Sequence, residues 1–278
     1  MNTSNKTENA PEAYLHKNKH SWNQRTSFHL ASEFYDMPGF LAGNTSLNSI
    51  ELDLLGDVKN KSVLHLQCHF GQDSLSLARM GALVTGVDLS DQAIDQARKL
   101  NAELGLDAEF ICCDVYDLPK YLNKKFDLIY TSYGAIVWLP DMERWAKLIN
   151  SFLKPAGRFV LVEFHPALWM FDPHFKSIQY SYFNAGAICE TEAGTYADRN
   201  ADVQIETVTW NHSLGEVMGS LLRTGLAIDS FEEFDYSPYN CLLETVKIAP
   251  RKYRIKHLES KIPMVYALSC SKGTEICQ

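Results

Sequence analysis

Nine consecutive residues decide the fold of this chain: Val63-Leu64-His65-Leu66-Gln67-Cys68-His69-Phe70-Gly71. The run opens on apolar residues, as a buried strand does, and closes on a glycine that permits a tight turn. The residues after it, Asp73–Met80, carry apolar side chains at helical spacing. A strand that passes through a tight turn into a helix is the first half of a βαβ unit, from which parallel sheets are built.

The same alternation continues toward the C-terminus. The predicted strands are Val63–Gln67, Leu83–Val87, Ala108–Cys112, Phe126–Thr131, Gly157–Glu163, Ile228–Tyr236 and Met264–Ser269. The predicted helices are Asp73–Met80, Asp91–Leu104, Met142–Leu153 and Ser213–Thr224. Strands that alternate with amphipathic helices predict a doubly wound α/β fold.

Two segments outside this pattern are predicted to cover the sheet. Residues 165–212 lose the periodicity but are dense in aromatic side chains, which disfavours disorder and predicts a cap inserted over a pocket. The N-terminal segment is predicted to form a lid, with Trp22 and Arg25 in contact with cofactor or substrate, or else a helix that packs on the sheet edge. The chain thus divides into lid, cofactor-binding core, cap and C-terminal completion of the core: residues 1–60, 61–164, 165–212 and 213–278.

The composition excludes some classes of partner. With a formal net charge of −8 and a pI near 5.6, the 278-residue chain lacks the basic face that duplex nucleic acid requires. No apolar run approaches the roughly 20 residues that cross a bilayer. The polar start, Met1–Pro11, lacks the apolar centre of a secretory signal and predicts a frayed end. The seven cysteines show neither zinc spacing nor a disulfide framework, so we expect reduced thiols, no metal site and a cytoplasmic location. We expect a monomer or a homodimer without membrane contact.

Polar residues follow the predicted strands at the edge where an open α/β sheet binds its ligand. In order along the chain these are the turn Gln67–Gly71, Asp88, Asp114, Tyr133-Gly134 and His165. The carboxylate of Asp88 offers two acceptor oxygens for both hydroxyls of a ribose. Asp88 is equally well placed as the N-cap of the helix from Asp91, and the turn before it is what favours a nucleoside ligand.

These residues belong to a series of motifs that is similar to a known family. From roughly Lys61 to Glu163 the chain carries, in order, the nine-residue run, Val87-Asp88-Leu89-Ser90, Cys113-Asp114-Val115, Phe126-Asp127-Leu128-Ile129-Tyr130 and Leu153-Lys154-Pro155-Ala156-Gly157-Arg158. The series resembles the class I S-adenosylmethionine-dependent methyltransferases, and in particular a bacterial subgroup with a His-Leu-Gln-Cys-His-Phe-Gly first motif. The resemblance implies a Rossmann-like, seven-stranded mixed sheet whose last strand is antiparallel.

The resemblance also implies where the cofactor, S-adenosylmethionine, is bound. The first turn would hold its methionine part, Asp88 its ribose, and Asp114 with Val115 its adenine edge. The predicted cofactor-binding residues are Gln67, Cys68, His69, Phe70, Gly71, Asp88, Leu89, Asp114, Val115, Thr131, Trp22 and Arg25. Gln67 and His69 stand where the family usually has glycines. This departure keeps open a protein that binds S-adenosylmethionine or S-adenosylhomocysteine without turnover.

A nicotinamide-dependent oxidoreductase is a further alternative, since it uses the same strand, turn and helix. The Gly-x-Gly-x-x-Gly run that such enzymes need is absent, and a pyrophosphate would meet the side chains of Gln67 and His69 in place of a glycine nest. A sulfonium with a small zwitterionic tail demands less bare backbone, so the methyltransferase hypothesis fits better.

The acceptor side of the reaction is less constrained. Aromatic faces stabilise a cationic centre, which makes Tyr133 and Trp138 candidates for the pocket wall, while Tyr236 and Tyr239 are either wall or ordinary packing. If a general base is needed, His165 is the best placed by topology and His69 the second, the alternative for both being a structural histidine. The residues after the fourth strand are not the Asn/Asp-Pro-Pro-aromatic run of base methyltransferases, and the chain has no Pro-Cys pair. We therefore predict a small-molecule acceptor, with O, N, S or C as the methylated atom.

Overall fold

The computed structural model describes residues 10–274. Its α-helices are α1 Ala10–Ala31, α2 Met37–Leu41, α3 Ser49–Leu55, α4 Gln72–Arg79, α5 Asp91–Glu103, α6 Met142–Phe152 and α7 Leu214–Arg223. Its strands are β1 Ser62–Leu66, β2 Leu83–Asp88, β3 Glu109–Cys112, β4 Phe126–Thr131, β5 Leu153–Phe164, β6 Ile188–Ala193, β7 Gln204–Thr209, β8 Leu226–Phe234, β9 Thr245–Ala249, β10 Lys252–Ile255 and β11 Val265–Lys272. Of the start predicted to be frayed, residues 1–9 lie outside the described residues.

Seven strands form one sheet in the order β3-β2-β1-β4-β5-β11-β8. β1 to β5 run parallel, and β11 pairs antiparallel with both β5 and β8. This confirms the predicted seven-stranded mixed sheet with an antiparallel last strand. The strand order reverses between β1 and β4, and the crevice at the carboxyl ends of these two strands is where open α/β sheets bind ligands.

The helices that cover the sheet begin where the sequence provides a cap. Ser90, Asp141 and Ser213 each accept a backbone N–H of the first turn, at α5, α6 and α7 respectively. α6 buries an apolar face that includes Trp145, which is fully buried against Phe159 of β5.

Two features differ from the predicted elements. β5 begins at Leu153, earlier than the predicted Gly157, because the register against β4 shifts between Leu153 and Arg158 and absorbs the predicted turn as an irregularity in the strand. Residues 165–212 contain the antiparallel pair β6–β7, which we call the cap hairpin. Most β6 side chains are exposed, so the strand lacks the apolar alternation by which a sequence reveals a strand.

The cap hairpin packs against α1. The Asn18 side chain donates to the carbonyl of Val208 at 2.7 Å and accepts the N–H of the same residue at 2.9 Å. Asn18 is buried, so this reciprocal pair ties the N-terminal helix to β7. Within residues 10–274, no helix is long and apolar enough to cross a membrane.

Candidate functional site

A cavity of about 930 Å³ lies over the carboxyl ends of the parallel strands. Its walls come from four parts of the chain: α1 and the segment after it, the turns after β1 to β5, the cap hairpin, and the loop between β8 and β9. Of the predicted site residues, those that line it are Trp22, Arg25, Gln67, His69, Phe70, Gly71, Asp88, Leu89, Asp114, Val115 and Tyr133. These residues come from distant parts of the chain, and the fold brings them to one cavity.

The turn after β1 keeps a left-handed backbone at the three positions where the family pattern has glycine. The φ angles are 56° at Gln67, 51° at His69 and 82° at Gly71. A Cβ at Gly71 would lie 2.8 Å from the ring of Phe110, so only glycine fits there. The turn therefore has the backbone shape of a glycine-rich turn although two of its positions carry side chains.

Those two side chains are held by neighbours. Gln67 Nε2 donates to the carbonyl of Ala135 at 2.6 Å, which links the turn after β1 to the turn after β4. His69 Nε2 lies 3.0 Å from Nδ1 of His29 in α1. Burial, with the nearby charge of Arg25, lowers the pKa of His69 to about 3, so its ring is neutral.

Asp88 ends β2 and faces the cavity. Its Oδ2 accepts the N–H of His69 at 2.8 Å, and its Oδ1 accepts the N–H of Ser90 at 2.8 Å. Ser90, and not Asp88, is the N-cap of α5. Burial raises the pKa of Asp88 to about 6. Each carboxylate oxygen keeps a free lone pair, so Asp88 can brace the turn and still accept ribose hydroxyls.

Asp114 follows β3 and caps a short 3-10 helix by accepting the N–H of Tyr116 at 3.0 Å. Val115 and Leu89 line the same end of the cavity with apolar surface. Burial raises the pKa of Asp114. A carboxylate beside apolar side chains suits a flat heterocycle with an exocyclic amine.

Trp22 and Arg25 reach the cavity from α1. The Arg25 guanidinium lies beside the rings of Trp22 and Trp138, at 5.4 and 5.5 Å from their centroids. Its Nη2 pairs with Glu192 of the cap hairpin at 3.1 Å. Arg25 is only 2% exposed, and burial lowers its pKa against the opposing charge of Glu192.

Four buried polar atoms around the first turn have no hydrogen-bond partner among the described residues: Nε of Arg25, Nε2 of His29, Oε1 of Gln67 and Nδ1 of His69. A buried polar atom without a partner costs about 1–3 kcal/mol. One of these atoms is a donor, one is an acceptor, and a neutral imidazole nitrogen can be either. Together these atoms could donate to a carboxylate and accept from an ammonium.

The turn after β4 is organised by Glu163, a residue that the sequence did not single out. Its carboxylate accepts the N–H groups of Gly134, Ala135 at 2.8 Å and Ile136 at 3.1 Å. Glu163 is 1% exposed, and burial raises its pKa to about 7. The only signal in the sequence is a charged residue at the end of a buried strand. Glu163 does not line the cavity and acts by shaping the turn that carries Tyr133.

Three predicted site residues lie elsewhere. His165 does not line the cavity: its Nε2 is 2.8 Å from Glu233 of β8, and its Nδ1 accepts the N–H of Ala167 at 3.1 Å. The ring lies outside the cavity and beside Glu233, which corrects the prediction of a base at His165. Cys68 packs in the core against Phe110, and Thr131 is fully buried within β4. Thr131 points into a sheet layer because neighbouring residues of a strand face opposite sides.

The described cysteines are free thiols. No group of three or more His, Cys, Asp or Glu side chains within residues 10–274 is arranged to hold a metal ion.

Comparison with known proteins finds a family model and relatives in sequence. A family model described as a methyltransferase domain matches residues 63–157. An uncharacterized methyltransferase of Synechocystis sp. is 32% identical over 163 residues, which cover 57% of this chain and 74% of the relative. A ubiquinone biosynthesis O-methyltransferase of Coxiella burnetii is 31% identical over 132 residues, 46% of this chain. The match spans about half, 56%, of that relative's length.

Solved structures share the fold at low sequence identity. An S-adenosylmethionine-dependent methyltransferase from Clostridium acetobutylicum superposes with a TM-score of 0.56 at 15% identity, covering 92% of this chain and 98% of that one. A second from Mesorhizobium loti gives a TM-score of 0.55 at 20% identity, covering 84% of this chain and 100% of that one.

Proposed function

The chain belongs to the class I S-adenosylmethionine-dependent methyltransferases, and on that premise we propose that it transfers a methyl group to a small-molecule acceptor held in the cavity. When bound, the cofactor would supply an activated methyl: the acceptor atom would bond to the methyl carbon as the carbon–sulfur bond breaks, leaving S-adenosylhomocysteine, and an acceptor O–H, N–H or S–H group would release its proton to solvent. The protein has to hold the two reactants in line and exclude water, an effect of about 7–11 kcal/mol on the barrier.

One observation carries the proposal. A single cavity runs from Asp114 past Asp88 and the first turn to Tyr133, so one continuous space faces the ends of β3, β2, β1 and β4. Its volume of about 930 Å³ is at the upper end of the range for small-molecule sites. Such a space has room for a nucleoside cofactor and for a second small molecule beside it.

We assign the cofactor contacts from the polar groups of this cavity. Asp88 accepts the ribose hydroxyls, and Asp114 with Val115 borders the adenine. Arg25 donates through its free Nε to the methionine carboxylate, and Gln67 accepts the ammonium through its free Oε1. Because Arg25 belongs to α1, the cofactor would contact the N-terminal lid directly.

Calorimetric titration with S-adenosylmethionine, S-adenosylhomocysteine and NAD tests the proposal. We expect micromolar binding of the two adenosyl ligands and none of NAD. If the adenosyl ligands bind but no acceptor in a broad screen gives a methylated product, the alternative of a binding protein without turnover is favoured. The left-handed turn positions support a working site, because the backbone shape survives the loss of two glycines. The lack of binding by either adenosyl ligand would end the proposal.

The remaining predictions concern location and partners. A cytoplasmic monomer or homodimer that binds neither nucleic acid nor membrane stays a prediction, as do the boundaries of lid, core and cap. The net charge of −8 supports the exclusion of nucleic acid.

A further inference from the structure

Two tyrosines line the cavity on the far side of the first turn from Asp88. Tyr133 follows β4 and Tyr239 lies in the loop after β8; their rings meet at right angles with centroids 5.0 Å apart. If the proposed cofactor extends from β1 over β2 to β3, the neighbouring place over β4 is left for the acceptor. The inference below rests on that proposed function.

The hydrogen-bonding direction of Tyr133 is fixed from behind. Its hydroxyl donates to Oε2 of Glu51 at 2.9 Å. Glu51 is fully buried in α3, and its Oε1 accepts both the backbone N–H and the side-chain Nδ2 of Asn48, at 2.7 and 2.8 Å. Because the Tyr133 proton is committed to this carboxylate, Tyr133 Oη can only accept a hydrogen bond from the cavity.

Tyr239 is fixed in the opposite sense by the same amide. Asn48 Nδ2 donates to Tyr239 Oη at 2.9 Å. Glu51 Oε1 accepts from Asn48 Nδ2, which sets the orientation of the amide. No residue in the described part of the chain accepts the Tyr239 proton, which is therefore free to be donated into the cavity. The Asn48–Glu51 pair thus makes one tyrosine an acceptor and the other a donor.

We propose that this pair of tyrosines is a hydroxyl subsite, and that the methyl acceptor is a hydroxyl compound with a flat apolar body. A hydroxyl can donate to Tyr133 and accept from Tyr239 at once. An ammonium donates only and leaves Tyr239 unpaired, whereas an ether or carboxylate accepts only and gives Tyr133 nothing. The wall beside the subsite is aromatic, since Tyr133 packs on Phe164 and Phe164 on Trp169, with ring centroids 5.6 and 5.8 Å apart.

Four monosubstituted benzenes test the subsite: phenol, anisole, toluene and benzylamine. Each is titrated into the protein saturated with S-adenosylhomocysteine, and binding is followed by ligand-observed NMR. We expect phenol to bind about fivefold to tenfold tighter than anisole, as one added hydrogen bond implies, and tighter than benzylamine. Equal binding of phenol and anisole, tightest binding of benzylamine, or binding of none of the four would overturn the inference. Affinity for S-adenosylhomocysteine is measured separately, so that its loss would count against the proposed function and not against the subsite.

Variants separate recognition from folding. In Tyr133→Phe we expect the preference of phenol over anisole to vanish, and in Tyr239→Phe both ligands to weaken by the same factor, because both accept from Tyr239. Glu51→Gln should reduce the preference, since an amide can donate to Tyr133 and release its proton. Toluene affinity should stay unchanged in all three, and Tyr266→Phe is the control because Tyr266 is buried in β11 away from the cavity. A phenol preference that survives Tyr133→Phe would contradict the assignment.

Discussion

Asp88 joins two duties at one carboxyl, because it braces the first turn and is the proposed ribose contact. Burial raises its pKa to about 6, so the folded protein holds this proton more tightly than an unfolded chain with the ordinary value of 3.8. Stability from this group is therefore greatest at low pH and is lost as pH rises from about 4 through 6. Cofactor binding has the opposite requirement, since ribose hydroxyls donate to the ionised form.

From this we predict that affinity for S-adenosylhomocysteine falls as pH drops through about 6. Calorimetry between pH 5 and 8 measures it. Asp88→Asn should bind about 1.5–3 kcal/mol more weakly and lose the pH dependence, as for a hydrogen bond to a charged group. Asp73→Asn is the matched control, because Asp73 also lines the cavity and burial also raises its pKa to about 6. A pH profile that disappears in the Asp73 variant and persists in the Asp88 variant would contradict the assignment.

The left-handed backbone at Gln67 is strained for a residue with a side chain. This strain predicts that glycine is more stable than alanine at this position, the reverse of the order in a helix. At a φ of 56°, alanine keeps the strain and glycine relieves it, while both lose the bond to Ala135. Gln67→Gly should therefore be more stable than Gln67→Ala by about 1 kcal/mol. Lys99 is an exposed residue of α5 and is the comparison site. There Lys99→Gly should be less stable than Lys99→Ala by about 1 kcal/mol. Chemical denaturation of the four variants decides, and the same order at both sites would mean that the turn is unstrained.

Residue-level prediction from the sequence succeeded where topology alone places a side chain. Asp88 and Asp114 each follow a strand of the parallel sheet, so their arrival at the cavity needed only the strand boundaries. Glu163 and Glu51 escaped notice because each acts through a partner that is distant in the chain or belongs to the backbone. His165 was misplaced for a related reason: the end of a strand fixes the position of a residue but not the side of the sheet to which its ring turns.

At the level of elements, the strands of the sheet could be predicted from the sequence, whereas the segments that line the rest of the cavity could not. The seven strands of the sheet were visible in the sequence because most are buried and apolar. The cap hairpin and the pair β9–β10 were not, since many of their side chains are exposed and the strands show no apolar alternation. α1 has polar residues on most of its surface and contributes buried polar side chains such as Asn18 and Arg25, so no apolar stripe marked it.

The tie between α1 and the cap hairpin predicts how the cover comes loose. Asn18→Ala leaves the buried N–H and carbonyl of Val208 without partners, which should cost about 1–3 kcal/mol. Hydrogen exchange over residues 204–209 should quicken in this variant. Lys17→Ala is the control: Lys17 pairs with Glu206 of the same strand, but the pair is solvent-exposed and its loss should leave exchange unchanged. Equal effects of the two substitutions would show that the buried pair does not hold the hairpin.

The cavity is lined by segments that are remote from one another in the chain, so a bound ligand should stabilise all of them. The first turn and Asp88 belong to the sheet, Arg25 to α1, and Glu192, which pairs with Arg25, to the cap hairpin. A ligand that contacts Arg25 should therefore stabilise α1 and the cap hairpin together. A ligand that contacts only the turns of the sheet should leave hydrogen exchange in α1 and the cap hairpin unchanged.

We predict that S-adenosylhomocysteine at a hundredfold excess over its Kd stabilises the fold by about 2.7 kcal/mol. This should raise Tm by roughly 5–10 °C for a chain of this size. Exchange should slow in three places at once: residues 67–71, residues 18–25 and residues 188–193. Arg25→Lys keeps the charge but loses the Nε donor, so in this variant we expect protection of the first turn to remain and protection of α1 and the cap hairpin to weaken. Protection confined to the first turn in the unmodified protein would mean that α1 and the cap hairpin cover the cavity without sensing the cofactor, and the assignment of Arg25 to the methionine carboxylate would then be wrong.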